Sequence, residues 1–354
     1  MKIAWFGSSL VSAYWNGAAT YYRGIVRGLH ERGHRVSFFE PDAYERQQHR
    51  DLDDPPWAES VVYDPDRWED AVARADGYDV VVKSSGVGVN DAELEAAVLD
   101  AGARAAIFWD VDAPATLARL EADPDDPFSE LIPRYDVVVT YGGGDPVVGR
   151  YRALGARDCV PVYNALDPET HHPVPPQERF RGDPAFVGNR LPDREARVDE
   201  FFFAAAELAP ERTFLLGGAG WEDRKLPSNV RFLGHVSTND HNAVNVSPLA
   251  VLNVSRESMA TNGWSPPTRV FEAAGAGACL ITDAWEGIER FLEPGREVLV
   301  AADGDEVARV LGSLTPDVAG RLGAAARGRV LREHTYARRA VQVEQVLQAQ
   351  ELVP

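Results

Sequence analysis

Residues 265–283 read SPPTRVFEAAGAGACLITD. Two prolines precede a helix predicted to begin near Thr268, and the apolar run ACLITD that follows it is typical of a buried strand. The small residues at 273–276 allow this helix to pack closely against a sheet. Glu272 lies about one turn inside the helix. It could bind a ligand, or it could merely favour the positive end of the helix dipole.

The rest of the chain repeats this alternation of helices and buried strands. Strands in the second half are predicted at PAFVGN, RTFLLGG, VRFLGH, LAVLNVS, ACLITD and EVLVA, with helices near 194–208 and 268–277. In the first half they are predicted at KIAWF, RVSFF, DVVVK, AAIFW and YDVVVTY, with helices near 18–32 and 90–102. Continuous apolar strands alternating with helices are typical of a parallel sheet covered on both faces. Each half is therefore predicted to be a doubly wound α/β domain.

A proline-rich stretch at 159–176 separates the two series, and 354 residues exceed the size at which one core normally keeps growing. We predict an N-terminal domain over 1–168 and a C-terminal domain over 169–335. A last helix over 336–354 has apolar residues on one side, and its partner surface could belong to either domain. Two doubly wound domains in tandem would face each other across a central cleft. That arrangement favours a nucleotide-like or sugar-like ligand.

Composition excludes several classes of partner. The chain has 36 Lys and Arg against 55 Asp and Glu, a formal net charge of −19, which disfavours nucleic acid and anionic lipid. No apolar stretch is long enough to span a bilayer, and the N-terminus does not resemble a secretory signal, so we expect a cytoplasmic protein. The two cysteines, Cys159 and Cys279, stand in apolar settings and are predicted to be packing residues.

Glycine turns follow the first predicted strand. WFGSS at 5–9 contains Gly7, and WNGAAT at 15–20 contains Gly17 and opens a helix. Free amides at a strand-to-helix turn can bind an anion or another polar ligand. The glycines are ten residues apart, so they do not form the dinucleotide fingerprint, and an ordinary turn fits equally well.

Two carboxylates, Asp110 and Asp112, follow a buried strand in FWDVDAP. On an extended segment, residues two apart point the same way, so both could face the cleft and bind sugar hydroxyls or transfer a proton. A capped turn before a helix at 114–121 is the alternative. A metal site is not supported, because no nearby His or third carboxylate completes a shell.

The second half offers further ligand-binding candidates. Arg190, after the strand PAFVGN, would present a fork of donors to a phosphate, and His235 in VRFLGHV could stack on or bond to a base. At the start of the helix near 268, free amides, the helix dipole and Arg269 together favour an anion. Glu272 could look toward the same site and bond a vicinal diol.

The order of the predicted strands and helices resembles that of the GT-B glycosyltransferases, specifically retaining enzymes of the family-4 type in the CgeB-like spore-maturation subgroup. NGAATYYRGIVRGLHERGHRVSFFEP is similar to the family's N-terminal helix followed by GH-x-V and a strand, and FWDVDAP resembles a turn of the subgroup. YRALGARDCVPVYNALDPETHHP resembles the interdomain crossing. FVGNR, VRFLGHV and SPPTRVFEAAGAGACLITD match the nucleotide-sugar domain in order and spacing.

The resemblance implies roles for individual residues. Glu272 would bind the ribose. The amides at 266–269, including those of Thr268 and Arg269 after Pro267, would bind the diphosphate. Arg190 would counter the negative charge that builds on the leaving group. His235 and Val236 would flank the base. Gly188 and Asn189 of FVGNR would join the donor site, with Gly7 and Gly17 bordering donor and acceptor. The resemblance implies no metal and no other cofactor.

The chain departs from the family pattern at one place. Retaining members often carry two glutamates spaced E-x7-E, and Trp264 stands eight residues before Glu272. Ser265, Arg256 or Glu257 could substitute for the missing glutamate. Asp110 or Asp112 could take the place of the histidine that members often carry in the first domain.

The preferred hypothesis is transfer of a sugar, with retention, from a nucleoside diphosphate sugar to a hydroxyl-bearing acceptor. UDP is the expected nucleotide, and a small molecule or a glycan is the expected acceptor. A sugar-nucleotide epimerase and a non-catalytic sugar-nucleotide-binding protein are the alternatives.

Overall fold

The computed structural model describes residues 1–349. Contacts divide the chain into two compact units, of which the second spans Ala165–Thr335. The first unit comprises Met1–Asn164 and the C-terminal helix. The last five residues of the predicted helix over 336–354 lie outside the described residues.

The first unit contains a parallel sheet of seven strands in the order β3-β2-β1-β4-β5-β6-β7. The strands are β1 (Lys2–Phe6), β2 (Arg35–Pro41), β3 (Glu59–Tyr63), β4 (Val80–Ser84), β5 (Ala105–Asp110), β6 (Val137–Thr140) and β7 (Cys159–Pro161). Strands β4, β5 and β6 are buried along their whole length, because helices cover both faces of the sheet. The strand order reverses between β1 and β4, which is the topological switch point of this sheet.

Six helices of the first unit precede its C-terminal helix. They are α1 (Ala19–Glu31), α2 (Trp68–Ala73), α3 (Asp91–Ala97), α4 (Ala113–Ala122), α5 (Phe128–Leu131) and α6 (Gly144–Ala153). The apolar face predicted for the first helix is confirmed, since Tyr21, Tyr22, Ile25, Val26 and Leu29 of α1 are all buried.

The second unit contains a parallel sheet of six strands in the order β10-β9-β8-β11-β12-β13. These are β8 (Pro184–Val187), β9 (Phe214–Gly217), β10 (Val230–Gly234), β11 (Ala250–Asn253), β12 (Leu280–Asp283) and β13 (Leu299–Ala301). Its helices are α7 (Pro192–Val198), α8 (Ala204–Leu208), α9 (His241–Val246), α10 (Glu257–Asn262), α11 (Thr268–Ala276), α12 (Gly304–Ser313) and α13 (Pro316–Glu333). A π-helical turn, Asp199–Phe203, joins α7 to α8, so the two form one continuous helix. The switch point of this sheet lies between β8 and β11.

Two strands of the first sheet are absent from the sequence-based prediction. Strand β3 lies at the edge of the sheet and alternates between buried and exposed residues, so it shows no continuous apolar run. Strand β7 has three residues, ends in a proline, and lies inside the stretch predicted to be a linker. Proline is tolerated at a sheet edge, where one side of the strand needs no partner. The predicted linker over 159–176 is therefore wrong in its first three residues.

The C-terminal helix, α14 (Tyr336–Ala349), packs against α1 within the first unit. Two glycines of α1 allow close approach, because a Cβ added at Gly24 would lie 2.3 Å from the Tyr336 ring and one at Gly28 would lie 3.0 Å from the Cβ of Ala340. Glu344 of α14 accepts hydrogen bonds from Arg32 and pairs with His34 just after α1. The helix completes the first unit, although it comes last in sequence.

Replacing Gly24 with alanine is expected to destabilise the protein, because the new methyl group overlaps the Tyr336 ring. The matched control is Gly149→Ala in α6, where an added Cβ meets no atom within 4 Å. Overpacking costs about 1–3 kcal/mol, so Gly24→Ala should have a free energy of unfolding lower than that of the control by about this amount. Urea unfolding followed by circular dichroism measures the difference. Equal stability of the two variants would contradict this packing.

Candidate functional site

In the second unit, charged residues lie at the carboxyl edge of the sheet, where ligands of open α/β sheets bind. The loop after β8 leads into α7, the loop after β11 leads into α10, and α11 begins shortly after α10. Because β8 and β11 flank the switch point, the loops that follow them form the edge at which ligands of such sheets bind. Most candidate ligand-binding residues of the second unit lie on these loops and helices.

Three arginines, Arg194, Arg256 and Arg269, lie close enough to influence one another. The pKa of Arg194 is lowered by burial and further by the positive charges of Arg269 and Arg256. Burial also lowers the pKa of Arg269, while the carboxylate of Glu272 raises it. Arg256 is paired with Asp193 at 2.6 Å. Among residues 1–349, no group accepts a hydrogen bond from the guanidinium of Arg194 or Arg269.

Gly188 makes room for one of these guanidinium groups. A Cβ at Gly188 would lie 2.8 Å from Nη1 of Arg194 and 2.9 Å from the Phe186 ring. The Gly188 carbonyl accepts a hydrogen bond from the Trp221 indole at 2.8 Å, and Asn189 Oδ1 accepts one from the Ala219 amide at 3.0 Å. Gly188 and Asn189 therefore shape and brace the loop that precedes Arg194.

The N-terminus of α11 adds backbone donors to the same region. Pro267 occupies the N-cap position with an extended backbone, and it has no side chain that could accept a hydrogen bond from the helix amides. Within the described part of the chain, the amides of Thr268 and Arg269 have no acceptor. These donors and the positive end of the helix dipole favour an anion.

Glu272 lies one turn into α11 beside two histidines. Its Oε1 is 4.0 Å from Nε2 of His171, and the rings of His171 and His241 stack with their centroids 6.3 Å apart. The backbone of Val236 lies close enough to raise the pKa of His241. Burial lowers the pKa of His241, whereas the Glu272 carboxylate raises it. Val236 and Glu272, to which the family resemblance gives the base and the ribose, thus both lie close to His241, which was not among the predicted site residues.

Arg190 is engaged with two carboxylates, one on α7 and one in the segment after β9. Its guanidinium donates to Glu195 and to Asp223 at 3.0 Å, and it lies over the Trp221 ring. The hydrogen bond to Glu195 raises the pKa of Arg190. Arg190 would have to release these partners to contact a phosphate. The loop after β8 was predicted to present an arginine to a ligand, and in the structure the arginine without a partner is Arg194, four residues farther on.

The remaining predicted donor contacts differ in exposure. His235 is exposed and has no partner among residues 1–349, whereas Val236 is buried. Ser265 is buried before α11. Of the other two candidates for the missing glutamate, Arg256 is paired with Asp193, and Glu257 is paired with Arg197 at 3.2 Å.

Trp264, where the family pattern has its first glutamate, belongs to a tight turn. Its φ is +48°, and its amide donates to the Glu286 carbonyl at 2.6 Å. Its ring would lie 2.5 Å from a Cβ at position 287, which is a glycine. The tryptophan is therefore built into the turn that leads to α11.

In the first unit, Asp110 is a buried hydrogen-bond centre. It is fully buried and accepts hydrogen bonds from the hydroxyls of Ser85 at 2.7 Å, Thr116 at 3.1 Å and Tyr151, and from the Asp112 amide at 2.9 Å. Burial raises its pKa, and these hydrogen bonds oppose the shift.

The prediction that Asp110 and Asp112 face the same way is wrong. Asp110 ends β5 and points into the unit, whereas Asp112 is exposed at the N-cap of α4. Asp112 has φ −147° and ψ 61°, so the extended backbone that would keep the two side chains on one face ends between them. The segment instead forms a turn that leads into α4, which was the alternative prediction.

The two predicted glycine turns also differ. Gly7 is buried after β1, and a Cβ there would lie 2.4 Å from the Phe38 ring, so close packing requires glycine. Gly17 is exposed, with no atom within 4 Å of an added Cβ. Packing explains the first glycine, and nothing in the structure explains the second.

Several chemistries can be compared with the described residues. Within residues 1–349, no group of three or more His, Cys, Asp or Glu side chains is arranged to hold a metal ion. No helix in the same range has the length and apolar character needed to cross a membrane. Both cysteines are free and buried, and burial raises the pKa of each thiol to about 12, which confirms their prediction as packing residues.

Comparison with known proteins places the fold. A model of the glycosyl transferase-like family matches residues 194–345, a range that begins at Arg194 and includes α11. No curated protein matches the sequence. Solved structures match both units at once. The chain has the GT-B fold. The predicted fold of two Rossmann-like domains is thereby confirmed.

Three of these structures illustrate the match. Anabaena Alr3699/HepE in complex with UDP and glucose aligns with a TM-score of 0.68 and 15% identity, over 99% of this chain and 100% of that one. Sucrose-phosphate synthase from Thermosynechococcus elongatus aligns with a TM-score of 0.67 and 15% identity, over 99% and 98%. AviGT4, a glycosyltransferase involved in avilamycin A biosynthesis, aligns with a TM-score of 0.63 and 18% identity, over 100% and 99%.

Asp110→Asn is expected to lower the free energy of unfolding, because the amide NH2 replaces an acceptor where four donors converge. Loss of a satisfied buried acceptor costs about 1–3 kcal/mol. The matched control is Asp112→Asn, whose exposed side chain should change stability by less than about 0.5 kcal/mol. Urea unfolding of both variants at pH 7 tests the difference. If Asp110→Asn is as stable as the control, Asp110 does not hold this network together.

Proposed function

We propose that the protein is a glycosyltransferase that moves a sugar from a nucleoside diphosphate sugar, a UDP-sugar in the first instance, to a hydroxyl-bearing acceptor. The observation that carries the proposal is the pair of arginines without acceptors, Arg194 and Arg269, beside the free amides of α11. In a chain with 55 acidic residues, two half-buried cations that lie close together and form no ion pair within residues 1–349 favour a site where a ligand supplies the negative charge.

The chemistry of this pair fits a diphosphate better than a single carboxylate. Arg194 and Arg269 repel each other, and a group with several anionic oxygens can accept from both while also accepting from the amides of Thr268 and Arg269. Donors fixed in this way also stabilise the negative charge that grows on the diphosphate as the sugar leaves. Binding and catalysis would therefore use the same groups.

The nucleoside end of the donor would extend toward Glu272 and Val236. Glu272 would accept hydrogen bonds from the ribose hydroxyls, with His171 and His241 holding the carboxylate from one side. The loop at His235 and Val236 would flank the base. The family match over 194–345 and the structures solved with UDP and glucose support this assignment.

Retention at the anomeric carbon and independence of a metal are proposed from the resemblance to family-4-type enzymes. Arg194, Arg269 and the amides of α11 would stabilise the leaving diphosphate without a cation. The role of the missing first glutamate would pass to Ser265, because Arg256 and Glu257 are held in ion pairs.

A panel of UDP-, GDP- and dTDP-sugars tests the reaction class. We expect thermal stabilisation by one nucleotide and slow release of nucleoside diphosphate and free sugar when no acceptor is present. An epimerised donor with no nucleotide release would indicate an isomerase instead, and stabilisation without any turnover would indicate a binding protein. The proposal fails if no nucleoside diphosphate stabilises the protein.

Substitution of single arginines tests the diphosphate site. Arg194→Gln should weaken UDP binding by about 10- to 100-fold, because a charge-assisted hydrogen bond contributes about 1.5–3 kcal/mol. Arg190→Gln removes an equal charge four residues earlier, just before α7, but should have a smaller effect, since Arg190 is already bound to Glu195 and Asp223. Isothermal titration with UDP measures both. A larger loss in Arg190→Gln than in Arg194→Gln would reverse the assignment.

A further inference from the structure

Three aromatic side chains of the first unit are exposed. Tyr14 is 37% exposed, Trp15 80% and Tyr44 51%. We call these three residues the aromatic platform. They lie on the loops that follow β1 and β2, at the carboxyl edge of the sheet and next to its switch point. The Tyr14 and Trp15 rings contact each other, and Arg46 connects Tyr44 to them by lying over the Tyr44 ring and donating to the Trp15 carbonyl. A cluster of exposed aromatic residues is a candidate binding surface.

The backbone of the platform is strained. Trp15 has φ +46° and Tyr44 has φ +56°, in the left-handed region that bulky residues rarely adopt. Glu45, next to Tyr44, and Asn90, in the loop after β4, also have positive φ. Such residues each cost about 1–3 kcal/mol and persist where the surrounding structure fixes them, commonly at ligand sites. Trp15 adopts this backbone conformation although its ring is exposed, so the ring gains little stability from burial.

A buried arginine fixes these loops together. Arg46 is 6% exposed and donates to the carbonyls of Ser8 at 3.0 Å, Val87 at 3.3 Å and Trp15 at 3.4 Å. Its guanidinium lies 4.9 Å from the centroid of the Tyr44 ring. Arg46 therefore connects the loops after β1, β2 and β4.

The aromatic side chains themselves are also held. The Tyr44 hydroxyl donates to the Gly88 carbonyl at 2.7 Å, and the Tyr14 ring stacks on His49 with centroids 4.0 Å apart. The ring of Trp15 lies edge-on to Tyr14 at 6.2 Å. A surface fixed before its ligand arrives loses little entropy on binding.

The charges around the platform disfavour an anionic partner. Arg23 is paired with Asp51, Arg50 is paired with Asp54, and Arg46 is buried beneath the rings, where it donates to backbone carbonyls. The adjacent segment, residues 51–54, reads DLDD. Anionic lipid and nucleic acid require free basic residues at the contact surface. A neutral sugar ring fits such a surface. Its apolar C–H face can stack on an aromatic ring, and its hydroxyl groups can form hydrogen bonds with nearby carboxylate and amide groups.

We infer that the aromatic platform binds a neutral sugar ring of the acceptor, so that the acceptor is a glycan or a glycoside. This inference rests on the proposed glycosyltransferase function and adds the acceptor class to it. Trp15 would contribute the main stacking surface, with Tyr14 and Tyr44 beside it.

Saturation-transfer NMR on the full chain tests the inference with methyl α-D-glucopyranoside, methyl β-D-galactopyranoside, maltose, cellobiose and chitobiose. We expect at least one of these glycosides to bind the wild type. Trp15→Ala should weaken its binding roughly fivefold or more, because an aromatic stacking partner is lost. The control is Val62→Ala, which shortens another exposed apolar side chain of the same unit, 41% exposed, and should bind like the wild type.

A second variant separates binding from folding. Glycine adopts positive φ without strain, so Trp15→Gly should unfold at the same temperature as the wild type or higher, and it should still lose the glycoside. UDP-induced stabilisation should be unchanged in every variant. If UDP fails to stabilise the wild type while a glycoside binds, the proposed function fails and the platform stands.

Three results would overturn the inference: no glycoside binds the wild type, the glycoside binds Trp15→Ala as tightly as the wild type, or the wild type binds phosphatidylglycerol vesicles or phenol in preference to every glycoside.

Discussion

Two guanidinium groups that form no ion pair with a described residue, those of Arg194 and Arg269, lie at the carboxyl edge of the second sheet, in a chain whose formal charge is −19. Burial lowers the pKa of both, and the positive charges of Arg269 and Arg256 lower that of Arg194 further. A folded protein rich in carboxylates could pair these arginines, as it pairs Arg190, Arg197 and Arg256 nearby. That it does not pair them is the constraint from which the proposed donor site follows, since a diphosphate would supply the missing charge.

The fold explains how distant segments supply this site. Arg194 follows β8, and Arg269 lies on α11 between β11 and β12, so the strand order brings together residues 75 positions apart in sequence. The first unit uses the same arrangement differently. At its switch point, Arg46 joins three loops through backbone carbonyls and holds aromatic rings toward solvent. Near the switch point of its parallel sheet, the second unit thus has cations and backbone amides, and the first unit has exposed aromatic rings.

Continuous apolar strands and the helices between them could be predicted from the sequence, because burial on both faces of a sheet leaves a strong local pattern. Strands β3 and β7 escaped prediction, since edge strands are short or half exposed. The N-terminus of α11 could also be predicted from its prolines and small residues. The pairing state of each arginine could not, because Arg190 and Arg194 look alike in sequence and differ only in the carboxylates around them.

The same limit applies to Asp110 and to the histidines beside Glu272. The spacing of Asp110 and Asp112 suggested a shared face, but the end of β5 between them decides which one is buried. His171 and His241 are 70 residues apart and carry no local signal for their stacking. Such contacts depend on tertiary packing, which motif spacing does not encode.

The central claim, that the second unit holds a diphosphate through Arg194, Arg269 and the amides of α11, is tested most directly by titrating the wild-type protein with UDP, UMP and uridine at two salt concentrations. We expect affinity to fall with each phosphate removed, and added salt to weaken UDP binding more than uridine binding. Equal affinity for UDP and uridine, or UDP binding that does not respond to salt, would contradict this claim.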